Sequence, residues 1–292
     1  MKRAGFVVHV GREAAVRAAE QLIAQLSGKD VRTRELAGES LGADEEMTPD
    51  AFPQGLDLVV SVGGDGTFLR AAYVAAQTGA PVLGVKVGRL GFLTEVEPPG
   101  AEELILRALD GNARVEERMA VLASPETGPD FDPQWGLNEV MVEKRARHRL
   151  IKLAVYVDGQ YVTTFSADGV IVATPTGSTA YSFSARGPMV SPSVQSLIVT
   201  PVAAHMVFDR SFVLDAASHV SLRVEGDEPG LLSADGRKSV ELPVGARVGV
   251  EVAPRSARLV RRDDVPSFLS LVREKFGLPG TPEPGEPSDA GA

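Results

Sequence analysis

Hydrophobic positions in the first third of the chain alternate between two periods. Gly5 to Val10 is a short β-branched run, and Arg12 to Leu26 then places Val16, Ala19, Leu22, Ile23 and Leu26 on one helical stripe. Val31 to Leu36 predicts a weaker strand. Leu56 to Val62 predicts a stronger one, apolar on both faces as a central parallel strand is. Phe68 to Ala76 reads as helix, Pro81 to Val87 as strand and Ala101 to Leu109 as helix. Strands alternating with helices imply right-handed βαβ units and a parallel sheet, with ligands beyond the carboxyl ends of its strands.

The pattern changes near Arg114. Leu150 to Asp158, Tyr161 to Phe165, Gly169 to Ala173, Ser196 to Val199, Ser211 to Leu214, His219 to Val224 and Val248 to Ala253 are short β-rich runs divided by Gly, Pro and Asp. Asp158-Gly159 between two of them is a tight-turn dipeptide. The fold class expected is therefore α/β: a parallel-sheet nucleotide-binding domain over residues 1–113, then a mostly β, sandwich-like domain over 114–264. A helix over 265–277 is expected to return to the first domain. The Pro/Gly/Glu-rich residues 278–292 are expected to be a disordered tail.

Composition narrows the function. The chain has 292 residues, 43% hydrophobic and 24% charged, which suits ordinary globular cores. It contains no Cys, which excludes disulfides, Cys-ligated zinc and a thiol nucleophile. That fits a reducing cytoplasm, the expected location. The net charge of −9 lacks the basic field of a nucleic-acid binder. The apolar run after Met1-Lys2-Arg3 is too short for a secretory signal, and no stretch approaches the roughly 20 residues of a membrane span. Neither nucleic acid nor membrane is an expected partner.

Four segments carry candidate chemistry. Gly63-Gly64-Asp65-Gly66-Thr67 follows the Leu56–Val62 strand and precedes a helix. Its glycines let backbone approach a ligand, and the helix N-terminus offers free N–H groups to phosphate. A plain strand-to-helix turn with Asp65 as cap is the competing reading. Thr174-Pro175-Thr176-Gly177-Ser178-Thr179-Ala180-Tyr181-Ser182 follows the Gly169–Ala173 strand and is dense in hydroxyls; alone it could be an ordinary connection. Gly88-Arg89-Leu90-Gly91-Phe92-Leu93 is a Gly-spaced loop, and Asn138-Glu139 is a polar pair entering a strand. Neither G-x-G-x-x-G nor a P-loop signature occurs.

Together these segments resemble the NAD kinase family, collinearly from about Phe6 to Phe276, with Asp168-Gly169 ahead of Thr174–Tyr181 as in the family pattern. The resemblance implies phosphoryl transfer from ATP or polyphosphate to the adenosine 2′-hydroxyl of NAD, with Asp65 accepting the proton. It implies a phosphate loop of Gly63, Gly64, Gly66 and Thr67. It implies NAD contacts at Asp65, Gly66, Asn138, Glu139, Arg149, Ser166, Asp168, Thr179, Ala180, Tyr181, Ser182, Phe183, Ser184 and Ala203. Arg149 reads equally well as a solvated charge among Arg145, Arg147 and Lys152. Mg²⁺ or another divalent cation is expected on the donor phosphates. With four His and no His/carboxylate cluster, no protein-built metal site is expected. A homodimer or homotetramer is also implied.

The family usually has Asn at Lys86 and Gly at Arg186, and a Pro-rich run where Val202-Ala203-Ala204 precedes His205. Two other readings compete. Lipid kinases and phosphofructokinases share the Gly-Gly-Asp-Gly loop but lack the Thr174–Tyr181 segment. A non-catalytic dinucleotide sensor is the other, and retention of Asp65 speaks against it.

Overall fold

The computed structural model describes residues 1–88, 91–94, 96–264 and 266–279. Arg89, Leu90 and most of the expected tail lie outside the described residues. The first third forms β1 (Lys2–Val8), α1 (Glu13–Leu26), β2 (Val31–Leu36), β3 (Glu45–Met47), β4 (Leu58–Gly63), α2 (Asp65–Thr78), β5 (Val82–Lys86) and α3 (Pro98–Leu109). β1 pairs in parallel with β2 and β4, and β4 with β5. The period of two in the strands sorts their side chains: Phe6, Val8, Val60 and Val62 pack with α1 and α3, while Val7 and Val59 pack with Phe68, Ala71 and Ala75 of α2. β4 is buried at every position for this reason. β3 is too polar to read as a strand, and Arg34 of β2 holds it by an ion pair to Glu45 at 2.8 Å.

The remaining strands are β6 (Arg114–Arg118), β7 (Val121–Thr127), β8 (Gln134–Gly136), β9 (Glu139–Lys144), β10 (Ile151–Val157), β11 (Gln160–Ala167), β12 (Gly169–Ala173), β13 (Ser196–Val202), β14 (Phe212–Asp215), β15 (Val220–Glu225), β16 (Gly230–Ala234), β17 (Val240–Leu242), β18 (Arg247–Val252) and β19 (Ala257–Arg261). A 3₁₀ turn (Gly177–Thr179) and α4 (Tyr181–Ser184) separate β12 from β13, and α5 (Phe268–Phe276) follows β19. Two six-stranded sheets, in the orders β11-β10-β15-β18-β7-β8 and β14-β13-β12-β9-β16-β17, form a sandwich. Val140, Val142, Val170 and Val172 of one sheet meet Leu153, Leu222 and Val248 of the other in its core. Asp158 and Gly159 both take positive φ, +50° and +77°, in the hairpin between β10 and β11.

The change of pattern near Arg114 does not coincide with the edge of the first sheet. That sheet runs β3-β2-β1-β4-β5-β19-β6, so residues 114–118 and 257–261 both complete it. Leu259 pairs with Val82 in parallel, and β6 lies antiparallel to β19. Local pattern marks these segments as short strands but does not say which sheet they join. The interface between the two halves is apolar: Trp135 and Leu137 share a cluster with Phe68 and Ala72. The last helix starts at Phe268, because the Ser267 side chain accepts from the Ser270 amide as an N-cap. Among the described residues no helix is long and apolar enough to cross a membrane.

Candidate active site

The glycine loop joins β4 to α2 almost without a loop. Gly64 is the N-cap and Asp65 is already the first helical residue. Thr67 explains the first glycine, since a Cβ on Gly63 would lie 2.6 Å from the Thr67 hydroxyl oxygen. Asp65 lies one position past the cap. Its carboxylate accepts the amide of Phe92 at 2.9 Å and that of Leu93 at 3.2 Å. The plain helix-cap reading therefore fails, and the Gly88–Leu93 motif gains a purpose: a Cβ on Gly91 would collide with the Asp65 carboxylate. Gly66 is exposed one residue on, in the first turn of α2, whose amides face outward with the positive end of the helix dipole.

Loops from neighbouring strands share this edge of the sheet. Arg12, after β1, donates to the Val87 carbonyl at 2.8 Å, and its guanidinium lies over Gly88. Lys86, one of the departures from the family pattern, is paired with Glu97 at 2.9 Å.

The other half of the site stands on the outer face of a sandwich sheet. Along β9, Val140 and Val142 point into the sandwich core. Alternation therefore sends Glu139, Met141 and Glu143 to the opposite face. The Thr174–Gly177 turn is fastened to the entry of β9. The Thr174 amide donates to the Asn138 carbonyl at 2.8 Å, and its hydroxyl to the Leu137 carbonyl at 2.6 Å. Gly177 sits so close to the Asn138 backbone that any Cβ would collide with it. Ser178 closes the segment on itself, donating to the Pro175 carbonyl at 2.7 Å and accepting the Val190 amide at 3.0 Å.

Carboxylates gather around Tyr181. Burial raises its phenol above the ordinary value, helped by the charges of Glu143, Asp168 and Glu139. Asp168 is itself ion-paired with Lys144. Glu139 is pushed up to about 8, first by burial and then by the charge of Asp235. Its Oε2 atom is buried without a hydrogen-bond partner among the described residues.

The structure treats the expected contact residues unequally. Thr179 and Thr176 line a cavity of about 350 Å³ together with Phe92 and Leu93, so the amides that hold Asp65 and the hydroxyl turn belong to one space. Ala180 and Phe183 are partly buried, and Tyr181 and Ser184 are exposed. The Ser182 side chain is fully buried and hydrogen-bonded to the Thr200 hydroxyl at 3.0 Å. Asn138 is only 7% exposed. Ser166 and Ala203 lie near each other: the His205 amide donates to the Ser166 carbonyl at 2.8 Å, and Ala203 is exposed with φ +48°. Arg149 is exposed and paired with Glu228 at 2.5 Å, as a solvated charge would be. Arg186 also takes a left-handed φ of +67°, which accounts for glycine at that place in the family pattern.

Three groups escaped the sequence reading. Phe276 of α5 packs against Phe183 and Phe92, with ring centroids 4.9 and 6.4 Å apart. Arg118 reaches the Thr176 hydroxyl at 3.3 Å while paired with Glu116. Asp235 accepts amides of Leu137, Asn138 and Glu139. Only the last had a local signal, the Asp235-Gly236 turn dipeptide.

The site thus combines a glycine-flanked carboxylate at a helix N-terminus with polar groups on the outer face of a β-sandwich, an arrangement suited to holding a small phosphorylated ligand. The family model for the ATP-NAD kinase N-terminal domain matches residues 4–113, and that for the C-terminal domain matches 137–262. NAD kinase 2 of Streptomyces avermitilis is 41% identical over 282 residues, covering 94% of this chain and 93% of its own. NAD kinase of Leifsonia xyli is 40% identical over 288 residues, covering 94% of both. The chain belongs to the NAD kinase family. Among solved structures, an NAD kinase from Archaeoglobus fulgidus in complex with ATP superposes with a TM-score of 0.73 at 28% identity, covering 95% of this chain and 98% of that one. Yeast NADH kinase complexed with NADH shares the fold, with a TM-score of 0.86 at 22% identity over 98% of this chain and 90% of its own.

Proposed function

We propose that this chain is a cytoplasmic enzyme that transfers a phosphoryl group from ATP, or from polyphosphate, to the 2′-hydroxyl of the adenosine ribose of NAD, giving NADP. The observation that carries the reading is the Asp65 carboxylate, fixed by two amides at the N-terminus of α2. A ribose hydroxyl is a weak nucleophile until a carboxylate orients it and takes its proton as the new P–O bond forms. Each Asp65 oxygen accepts one amide and keeps a lone pair to receive that proton.

The acceptor is read as lying over Glu139, Asp168 and Tyr181, with Asn138, Thr179 and Ala180 beside it. A protonated Glu139 donates a hydrogen bond, Asp168 accepts one, and Tyr181 offers a flat face to a base. Gly63, Gly64, Gly66 and Thr67 are read as the donor-phosphate side. No group of three or more His, Asp or Glu side chains among the described residues could hold a metal ion. A divalent cation carried on the donor phosphates would neutralise the charge of the transferred group. The chain's own part is to orient the hydroxyl and remove its proton.

A homodimer or homotetramer belongs to the same reading. β11 and β14 end their sheets, and Tyr161, Val162 and Val213 on them are exposed, as is the nearby Phe208. Edge strands with apolar side chains call for cover, which a second copy supplies. Incubation with NAD, ATP and Mg²⁺, with phosphorus NMR of the product, tests the activity. A new phosphate on an oxygen other than the adenosine 2′ position would overturn the site assignment.

A further inference from the structure

The turn after β16 lies outside every motif that carries the family resemblance, yet it touches both the Leu137–Glu139 backbone and the helix that begins with Asp65. Three consecutive amides donate to the single carboxylate of Asp235: Leu137 at 2.8 Å, Asn138 at 2.9 Å and Glu139 at 3.2 Å. The Asp235 amide returns a bond to the Glu139 carbonyl at 3.1 Å. The Asp235 side chain is 1% exposed, and its φ of +49° is a left-handed conformation that costs a non-glycine residue energy. Two residues on, the guanidinium of Arg237 stacks 3.9 Å above the ring of Tyr73 and donates to the Trp135 carbonyl. Tyr73 belongs to α2, whose first residue is Asp65.

We propose that the Asp235–Arg237 turn is a positioning clamp, which sets Asn138 and Glu139 of the sandwich in register with Asp65 of the first domain. The proposal rests on reading Asn138 and Glu139 as acceptor contacts. Neither Asp235 nor Arg237 touches substrate in it. Asp235 fixes the course of the backbone from Leu137 to Glu139, and therefore where the Asn138 and Glu139 side chains start. Arg237 fixes that same backbone, through Trp135, against the helix that carries the proton acceptor.

The chemistry needs these residue types. A carboxylate offers acceptors on both oxygens, whereas an Asn turns an N–H donor toward one side of the same row of amides. An Arg guanidinium stacks flat on a ring while donating in its own plane, and a Lys ammonium does not. A turn that served folding alone would give stability without distinguishing the two substrates. A clamp on Asn138 and Glu139 acts on the NAD side and leaves the donor side untouched.

The test compares Asp235→Asn, Arg237→Lys, Asn138→Ala and the Asp235→Asn/Asn138→Ala double variant, each measured for kcat, for KM toward NAD and ATP separately, and for Tm. Weakened hydrogen bonding at Asp235 is expected to lower kcat/KM for NAD roughly ten-fold at unchanged KM for ATP. Arg237→Lys should move the same quantity by less. The double variant should fall short of the product of the single effects, because Asp235 acts through Asn138 and its neighbour. Multiplicative effects, equal changes in both KM values, or a lowered Tm with unchanged kinetics would each overturn the clamp. An Asn138→Ala variant with unchanged KM for NAD would remove the acceptor reading itself, and the clamp with it. Should Asp235→Asn fail to fold, Arg237→Lys alone decides by the same split between NAD and ATP.

Discussion

The amide of Phe92 donates to Oδ2 of Asp65 at 2.9 Å, so the residue read as proton acceptor is held by a loop that follows a different strand. An Asn at position 65 would set its NH₂ against either that amide or the Leu93 amide. Asp65→Asn is expected to lower turnover by about 10²–10⁴, the usual share of a general base. Binding of NAD, measured by calorimetry, should persist. Near-native turnover would remove Asp65 from the mechanism.

Gly91→Ala tests the same relationship from the other side. The added Cβ has no room beside the carboxylate. The variant should lose at least about ten-fold in kcat, since small misplacement of a reacting group is costly. Its melting temperature should stay close to that of the parent chain. Unchanged kcat would mean that the loop gives way freely.

Glu139 predicts a pH dependence of stability. Its carboxyl rises from 4.5 to about 8 in the folded chain, so the folded state holds a proton that the unfolded state has released. The raised value gives a contribution that is full below about pH 4.5 and lost as pH climbs through 8. Tm without ligand should therefore fall between pH 6 and pH 8.5, and Glu139→Gln should flatten that slope. An unchanged slope in the variant would assign the effect to another group.

The hydroxyl pair of Ser182 and Thr200 predicts a stability effect inside the motif. Ser182→Ala leaves the buried Thr200 hydroxyl without its partner, a loss of about 1–3 kcal/mol. That corresponds to several degrees in Tm for a chain of this size. Thermal melts decide it, and an unchanged Tm would free Ser182 for a contact with ligand.

An NAD analogue without the adenosine 2′-hydroxyl should bind, weaker by about 0.5–1.5 kcal/mol for one lost hydrogen bond, or by up to about 3 kcal/mol where the Asp65 carboxylate was its partner. It should yield no phosphorylated product. Turnover of the analogue would place the acceptor oxygen elsewhere.

Much of this architecture is legible in the residue pattern alone. Both periods in the first third name their elements to within a few residues, because burial on both sides of β4 leaves an apolar run that no helix face imitates. Asp158-Gly159 announces its hairpin for an equally local reason. What is not legible depends on distant partners. Nothing within residues 114–118 or 257–261 says that they pair with each other and extend the first sheet. Gly91 reads as a flexible loop residue until Asp65 is seen beside it. Asp235 lies almost a hundred positions from the amides that it holds, a distance over which local pattern carries no information.

The membership of β6 and β19 in the first sheet bears on how the chain comes to be folded as it is made. β6 pairs with β19, and β19 alone connects it to β5. A chain emerging from its N-terminus therefore presents an unfinished sheet while residues 121–252 are synthesised: Val96 already bridges Val85, but the stretch of β5 at Val82 lacks its β19 partner. Such an edge is a template for pairing with other chains. The sandwich is a segment hung between β6 and β19, and residues 257–261 complete the sheet only when they arrive. Released chains truncated just before β19 should accordingly be the ones that aggregate, and released chains that include it should not.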